Sequence, residues 1–190
     1  MTVDEKIIEG CISGKRRAQN QLYKQYAPGM LGVCMRYCIN MAEAEDILQE
    51  GFIKVFKYIK SFRKEGSLEG WIRRIMINTA ISHYKKNKIY FNEINEMDIE
   101  LVEEQYDNVS FEPVDQEVLM NLIQNLAEGY RVVLNLYVFE GYSHKEIAKI
   151  LNISENTSKS QLSKARKLLR KKLEKLNKVT DRSIINERQL

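Results

Sequence analysis

Between Lys88 and Arg131 the chain has no lysine or arginine, although both flanks are strongly basic. Residues 1–88 carry 16 bases against 9 acids; residues 89–130 carry 11 acids and no base; residues 131–190 carry 14 bases against 6 acids. The net charge of +4 conceals this pattern. A 190-residue chain can form one large domain or two small ones. The segmentation favours two, each of about 60–90 residues and near the lower limit for folding alone. Two basic modules on an acidic strap suit a protein that touches a polyanion in two places.

The modules read as helical. Proline stands only at positions 28 and 113, and alternating β-branched segments are nearly absent. The expected helices cover 4–14, 17–38 with a kink or break near Pro28, 42–59 and 70–88, then 113–126, 130–139, 143–151 and 154–173. In the third, Ala44, Ile47, Leu48, Phe52, Val55, Phe56 and Ile59 form one apolar stripe. Residues 92–112 lack firm periodicity and are acid-rich, which reads as a linker. The expected fold is all-α: domains at 1–91 and 113–176, a flexible acidic linker at 92–112 and a tail at 177–190.

No charged-then-apolar leader and no apolar run near the roughly 18 residues of a membrane span is visible, so no membrane insertion and a cytoplasmic location are expected. Cys34 and Cys38 share a helix face, but His83 and His144 lie far off in sequence. These cysteines read as small apolar core residues in a reduced protein, and no metal or cofactor is expected. An enzyme is disfavoured, because the chain has no phosphate-binding glycine loop, HExxH or paired CxxC.

The C-terminal module carries a clearer signal. Ser143 and Glu146 fit a capping box, followed by Ile147, Ala148, Ile150 and Leu151 on an inner face. Asn152 suits a left-handed turn. Ser154 then caps a longer helix with a buried stripe of Ser158, Leu162, Ala165 and Leu169. Its opposite face shows Asn156, Lys159, Ser160, Ser163, Lys164, Lys167 and Lys171. A short helix, a tight turn and a longer polar, basic helix make a helix-turn-helix. The early polar side chains can read base edges, and the later lysines and Arg166 can hold phosphates. In the first module, Asp46, Gln49 and Glu50 oppose the apolar stripe, an odd patch for a domain that meets only DNA and a better dock for a basic protein surface. The helix opening at Trp71, read as a core anchor, presents Arg73, Arg74, Asn78, Ser82, Lys85 and Lys86.

These segments resemble a known family. Leu22-Tyr23, Tyr26-Ala27-Pro28, the run Ala44 to Glu50 and the Trp71 helix look like region 2 of bacterial sigma factors. Glu128 to Arg131, Gly141-Tyr142-Ser143, Glu146-Ile147-Ala148 and Lys164-Ala165-Arg166 look like region 4. With nothing else between them, the chain resembles the extracytoplasmic-function (ECF) group. The resemblance implies a promoter-specificity subunit that binds core RNA polymerase through the largest subunit's clamp helices and the flap. It implies promoter DNA as a partner, and an anti-sigma factor as the usual regulator. Asp46, Gln49 and Glu50 would meet the clamp helices. The loop from Ser61 to Glu69, with Phe62, Arg63 and Lys64, would capture a flipped base of the −10 element. Arg74, Asn78, Ser82, Lys85 and Lys86 would follow the strand and the duplex upstream. Asn156, Lys159, Ser160, Ser163, Lys164, Arg166 and Lys167 would meet the −35 element. Three positions depart from the family pattern: Ala127 replaces a proline, Asn156 a glycine, and Gln161 an arginine whose loss weakens a backbone contact. The rival reading is a DNA-binding regulator that uses only the helix-turn-helix, which leaves the Asp46 face unexplained.

Overall fold

The structure is a computed structural model that describes residues 3–91 and 115–187, and all its regular elements are helical. The expected linker at 92–112 lies outside the described residues, as do 188–190 at the end of the tail. The chain divides into two compact units, Met1–Ile94 and Asn95–Leu190.

The first unit is built from α1 (Val3–Ile12), α2 (Arg16–Met35), α3 (Met41–Tyr58) and α4 (Leu68–Phe91), with a 3₁₀ turn at Ile59–Ser61. Asn40 caps α3, its side chain accepting from the Glu43 N–H at 2.8 Å. The expected stripe of α3 is buried except for half-exposed Phe56; α3 packs with α2 and α4, whose Leu22, Met30, Val33, Ile72 and Met76 are also buried. Each such side chain contributes about 1.5–3 kcal/mol when fully withdrawn from water. Gly51 lets α3 approach α4, because a Cβ there would collide with the Met76 thioether. Cys34 and Cys38 are fully buried, and burial pushes the Cys34 thiol up to about 12. The break expected near Pro28 does not occur, and α2 runs through it. Pro28 and Lys24, one turn before it, are both exposed. Water can therefore satisfy the Lys24 carbonyl that proline leaves without a donor.

The second unit contains α5 (Gln116–Gln124), α6 (Glu128–Leu134), a π-helical segment at Asn135–Phe139, α7 (His144–Leu151) and α8 (Glu155–Glu187). One continuous helix was expected over 130–139; its second half is π-wound, with the Glu140 N–H reaching the Asn135 carbonyl at 3.1 Å. Arg131, the first base after the acidic stretch, is 2% exposed. Its Nη1 donates to the carbonyls of Gln124 at 2.8 Å and Leu126 at 3.0 Å, closing the C-terminal end of α5. The Gln124 carbonyl is one that a helix end leaves without an intrahelical donor, and Leu126 follows in the connection to α6.

Candidate nucleic-acid and polymerase interfaces

In α4 the side chains of Arg74, Asn78, Ser82, Lys85 and Lys86 are all exposed, while Ile72, Met76, Thr79 and Ala80 are buried. The spacing of four, four, three and one keeps the exposed set on one row. At the head of this row lies a pocket of about 430 Å³, lined by Ser61, Phe62, Arg63, Ser67, Trp71 and Arg74 among others. Ser67 starts α4 by accepting from the Gly70 N–H at 3.0 Å. Trp71 is half-exposed, tilted against Phe62 with ring centroids 5.6 Å apart. The expectation of a core anchor is thus only half met, since two aromatic rings form a wall of the pocket. A polar, cationic pocket with an aromatic wall is able to take an unstacked base.

Lys64 is not among the lining residues. It adopts a left-handed backbone at φ 60° and its ammonium pairs with Glu5 of α1 at 3.2 Å. That pair fastens the loop to α1.

On α3, Asp46 and Gln49 are exposed, and the same outer face continues to Ile53, 67% exposed. Glu50 differs from its neighbours. Its carboxylate pairs with Lys54 at 2.7 Å and with His83 of α4 at 2.7 Å. Hydrogen bonds from Lys54 and then His83 hold the Glu50 carboxyl below its usual range. Lys54 also donates to the buried Thr79 hydroxyl at 3.1 Å. Glu50 therefore ties α3 to α4 through His83, a linkage that helix-face reasoning did not find.

The helix-turn-helix forms with the expected local chemistry. Both arms of the Ser143–Glu146 capping box are present, and the Ser143 hydroxyl holds the Glu146 carboxyl below its usual range. Asn152 takes the left-handed conformation at φ 53°, and Ser154 accepts from the Thr157 N–H at 2.9 Å to start α8. Ser158, Leu162 and Ala165 are buried; Leu169 is half-exposed. Asn156, Lys159 and Lys167 are exposed, and Ser163, Lys164 and Arg166 half-exposed. Lys159 pairs with Glu155 at 3.1 Å. Ser160 is only 7% exposed. Its short side chain turns back to donate to the Thr157 carbonyl at 3.0 Å.

A polar seam joins the two helices of the motif, and the sequence reading missed it. Tyr137 stacks on His144 at 4.6 Å, the Arg166 guanidinium lies over the Tyr137 ring at 5.6 Å, and His144 Nδ1 is 2.9 Å from the Ser158 hydroxyl. Burial first, and then the charge of Lys159, lower the His144 pKa. Gln161 packs against Gly129, where a Cβ would meet its amide. Among the described residues no group of His, Cys, Asp or Glu is placed to hold a metal, and no helix is long and apolar enough to cross a membrane.

Comparison with known proteins gives the same partition. Residues 22–89 match the family model for Sigma-70 region 2 and residues 116–169 that for Sigma-70 region 4. The chain is 29% identical to the RNA polymerase sigma-H factor of Pseudomonas aeruginosa, over 91% of this chain and 95% of that protein. It is 27% identical to the ECF RNA polymerase sigma-E factor of Haemophilus influenzae, over 91% and 96%. The sigma factor RpoE of Bartonella quintana, solved with the anti-sigma factor NepR, superposes at a TM-score of 0.48 with 22% identity, covering 82% of this chain and 96% of that one. With both family regions in order, and sigma-factor relatives matching along nearly their whole length, the chain belongs to the extracytoplasmic-function group of RNA polymerase sigma factors.

Proposed function

We propose that the two units divide the work of this sigma factor between the two promoter elements. Residues 1–91 bind core polymerase and the −10 element, residues 113–176 bind the −35 element and the flap, and residues 92–112 connect them. The observation that carries this reading is the pocket lined by Arg63, Trp71 and Arg74 at the head of the exposed row Arg74, Asn78, Ser82, Lys85 and Lys86. A base extruded from the duplex enters the pocket between Phe62 and Trp71, and the row follows the phosphates behind it. Pocket capture favours the opened state, because a base held outside the stack cannot re-pair.

Asp46 and Gln49 give the exposed acidic and amide surface for the clamp helices, and Glu50 is shared between that surface and His83. In the second unit, Asn156, Lys159, Ser163, Lys164, Arg166 and Lys167 face the −35 element. The chain supplies no bond-making chemistry; polymerase does. It works in the cytoplasm, where an anti-sigma factor holds it inactive until needed. The acidic linker, repelled by nucleic acid, is displaced by growing RNA, so replacing its acids with lysines impairs promoter escape. A helix-turn-helix regulator independent of polymerase is not favoured, because the region 2 match takes up the half such a regulator would use for sensing or dimerisation.

The test is a crossed series on a promoter mapped by in-vitro transcription. Arg74→Ala should impair opening on duplex template and be largely rescued on a template already melted at the −10 element. Lys159→Ala should impair binding on the full promoter and have no effect on one truncated before the −35 element. Rescue in the opposite pairing would reverse the assignment.

A further inference from the structure

The π-helical segment Asn135–Phe139 belongs to neither helix of the helix-turn-helix, yet one of its rings touches both. Arg131 to Leu136 are all buried, so the segment emerges from the core of its unit. A π turn holds one residue more than an α turn, which rotates everything beyond it by about 100°. Past this turn Val138 and Phe139 are exposed and Tyr137 is half-exposed. Gly141, left-handed at φ 74°, and the Tyr142 N–H, which donates to the Leu136 carbonyl at 2.9 Å, then close the segment before α7 starts.

The Tyr137 ring stacks on His144, the first residue of α7, with the two planes 25° apart. The Arg166 guanidinium of α8 lies over the Tyr137 ring. His144 is itself fastened to α8 through the hydroxyl of Ser158, which is fully buried. Ser158 and Arg166 stand about two helical turns apart, so the ring and the imidazole together hold α8 at two heights. Arg166 remains half-exposed. Stacking engages the face of a guanidinium, whereas phosphates are bound by the N–H groups at its rim. The Tyr137 contact therefore leaves the charge of Arg166 usable.

We propose that Tyr137 is a positioning residue for promoter recognition, which rests on the assignment of α8 to the −35 element: it touches no DNA itself and holds the Arg166 guanidinium in the orientation that meets a phosphate. A long side chain that is unrestrained before binding must be ordered when it binds, and the ring orders Arg166 beforehand. That ordering corresponds to about two- to tenfold in affinity. Tyr137 does not change how many phosphates are neutralised. Its loss acts on affinity and leaves the salt dependence alone.

The experiment uses holoenzyme from the full chain and core polymerase on the mapped promoter. Arg166→Gln should weaken binding and make the slope of log K against log salt shallower by about 0.9, one duplex phosphate contact. Tyr137→Leu should weaken binding about two- to tenfold at an unchanged slope. Tyr137→Phe, which keeps the ring, should bind as the unaltered chain does. Added to Arg166→Gln, Tyr137→Leu should cost nothing more, whereas a general loss of fold would persist in that background. Pentafluorophenylalanine at position 137 keeps the ring's shape but reverses the charge of its face. It should weaken binding as leucine does, and it carries the test if leucine destabilises the unit. These losses should vanish on a promoter truncated before the −35 element. Full affinity with pentafluorophenylalanine, or losses that add to that of Arg166→Gln, would overturn the proposal and leave the −35 assignment standing. Unaltered affinity in Arg166→Gln would remove Arg166 from the −35 contacts, and the positioning role with it.

Discussion

Replacing Arg131 with methionine should destabilise the second unit while leaving the first untouched. Arg131 is 2% exposed and donates from Nη1 to the carbonyls of Gln124 and Leu126. Methionine fills similar space but leaves both carbonyls without this donor at the end of α5. A hydrogen bond from a charged donor contributes about 1.5–3 kcal/mol, and the cation at a helix C-terminus roughly another 0.3–1 kcal/mol. Burying methionine in place of the guanidinium removes a desolvation cost and offsets part of this. The expected loss is therefore about 3 kcal/mol. In a domain of this size it corresponds to a fall in Tm of more than about 10 °C. Trp71 is the only tryptophan and sits in the first unit, so its fluorescence follows that unit alone, whereas far-UV circular dichroism follows both. The variant should show an early circular-dichroism transition with the tryptophan transition unmoved. A loss below about 1 kcal/mol would refute the reasoning, as would equal shifts in both signals.

Asp46→Lys reverses charge on an exposed face, so it should weaken core-polymerase binding about tenfold or more without moving the Trp71 transition; unchanged affinity in a competition assay removes that face from the interface. Lys159→Ala should make the salt slope of promoter binding shallower by about 0.9, one duplex phosphate contact. Because Lys159 is partly engaged by Glu155, Glu155→Ala should strengthen binding slightly, and a weaker complex would count against the geometry. His144 has its pKa lowered from 6.5 in the fold, chiefly by burial. The unfolded chain then takes up the proton first as pH falls. The second unit's stability should be complete above about pH 6.5 and decline below it. His144→Phe should remove that decline, and a pH profile that keeps it assigns the effect elsewhere.

Local rules were legible in the sequence where one residue type answers one need. Ser143 with Glu146, Asn152 and Ser154 each made the cap or turn that its chemistry dictates. The α3 stripe and the exposed row of α4 followed from helical period alone. What stayed hidden depends on contacts between elements. Arg131 counted as one of the bases of a polyanion-binding module, yet its charge serves the neighbouring helix end, and composition does not separate a buried cation from an exposed one. Ser160 lay on the right side of a helical wheel, but a short hydroxyl can bond its own backbone and withdraw. Trp71 was read from the amphipathic pattern of its helix; the Phe62 loop across from it turns one side of the ring into a pocket wall. The Glu50–His83 pair spans α3 and α4, 33 residues apart, beyond the reach of any single-helix argument.

We propose that this chain confers promoter specificity on polymerase through two separate DNA-binding units. Run-off transcription by core polymerase, with and without the purified chain on templates carrying its mapped promoter, tests it most directly. A defined start site should appear only with the chain present and disappear when either the −10 or the −35 element is scrambled. Failure of the chain to bind core polymerase, or transcripts indifferent to both elements, would contradict it.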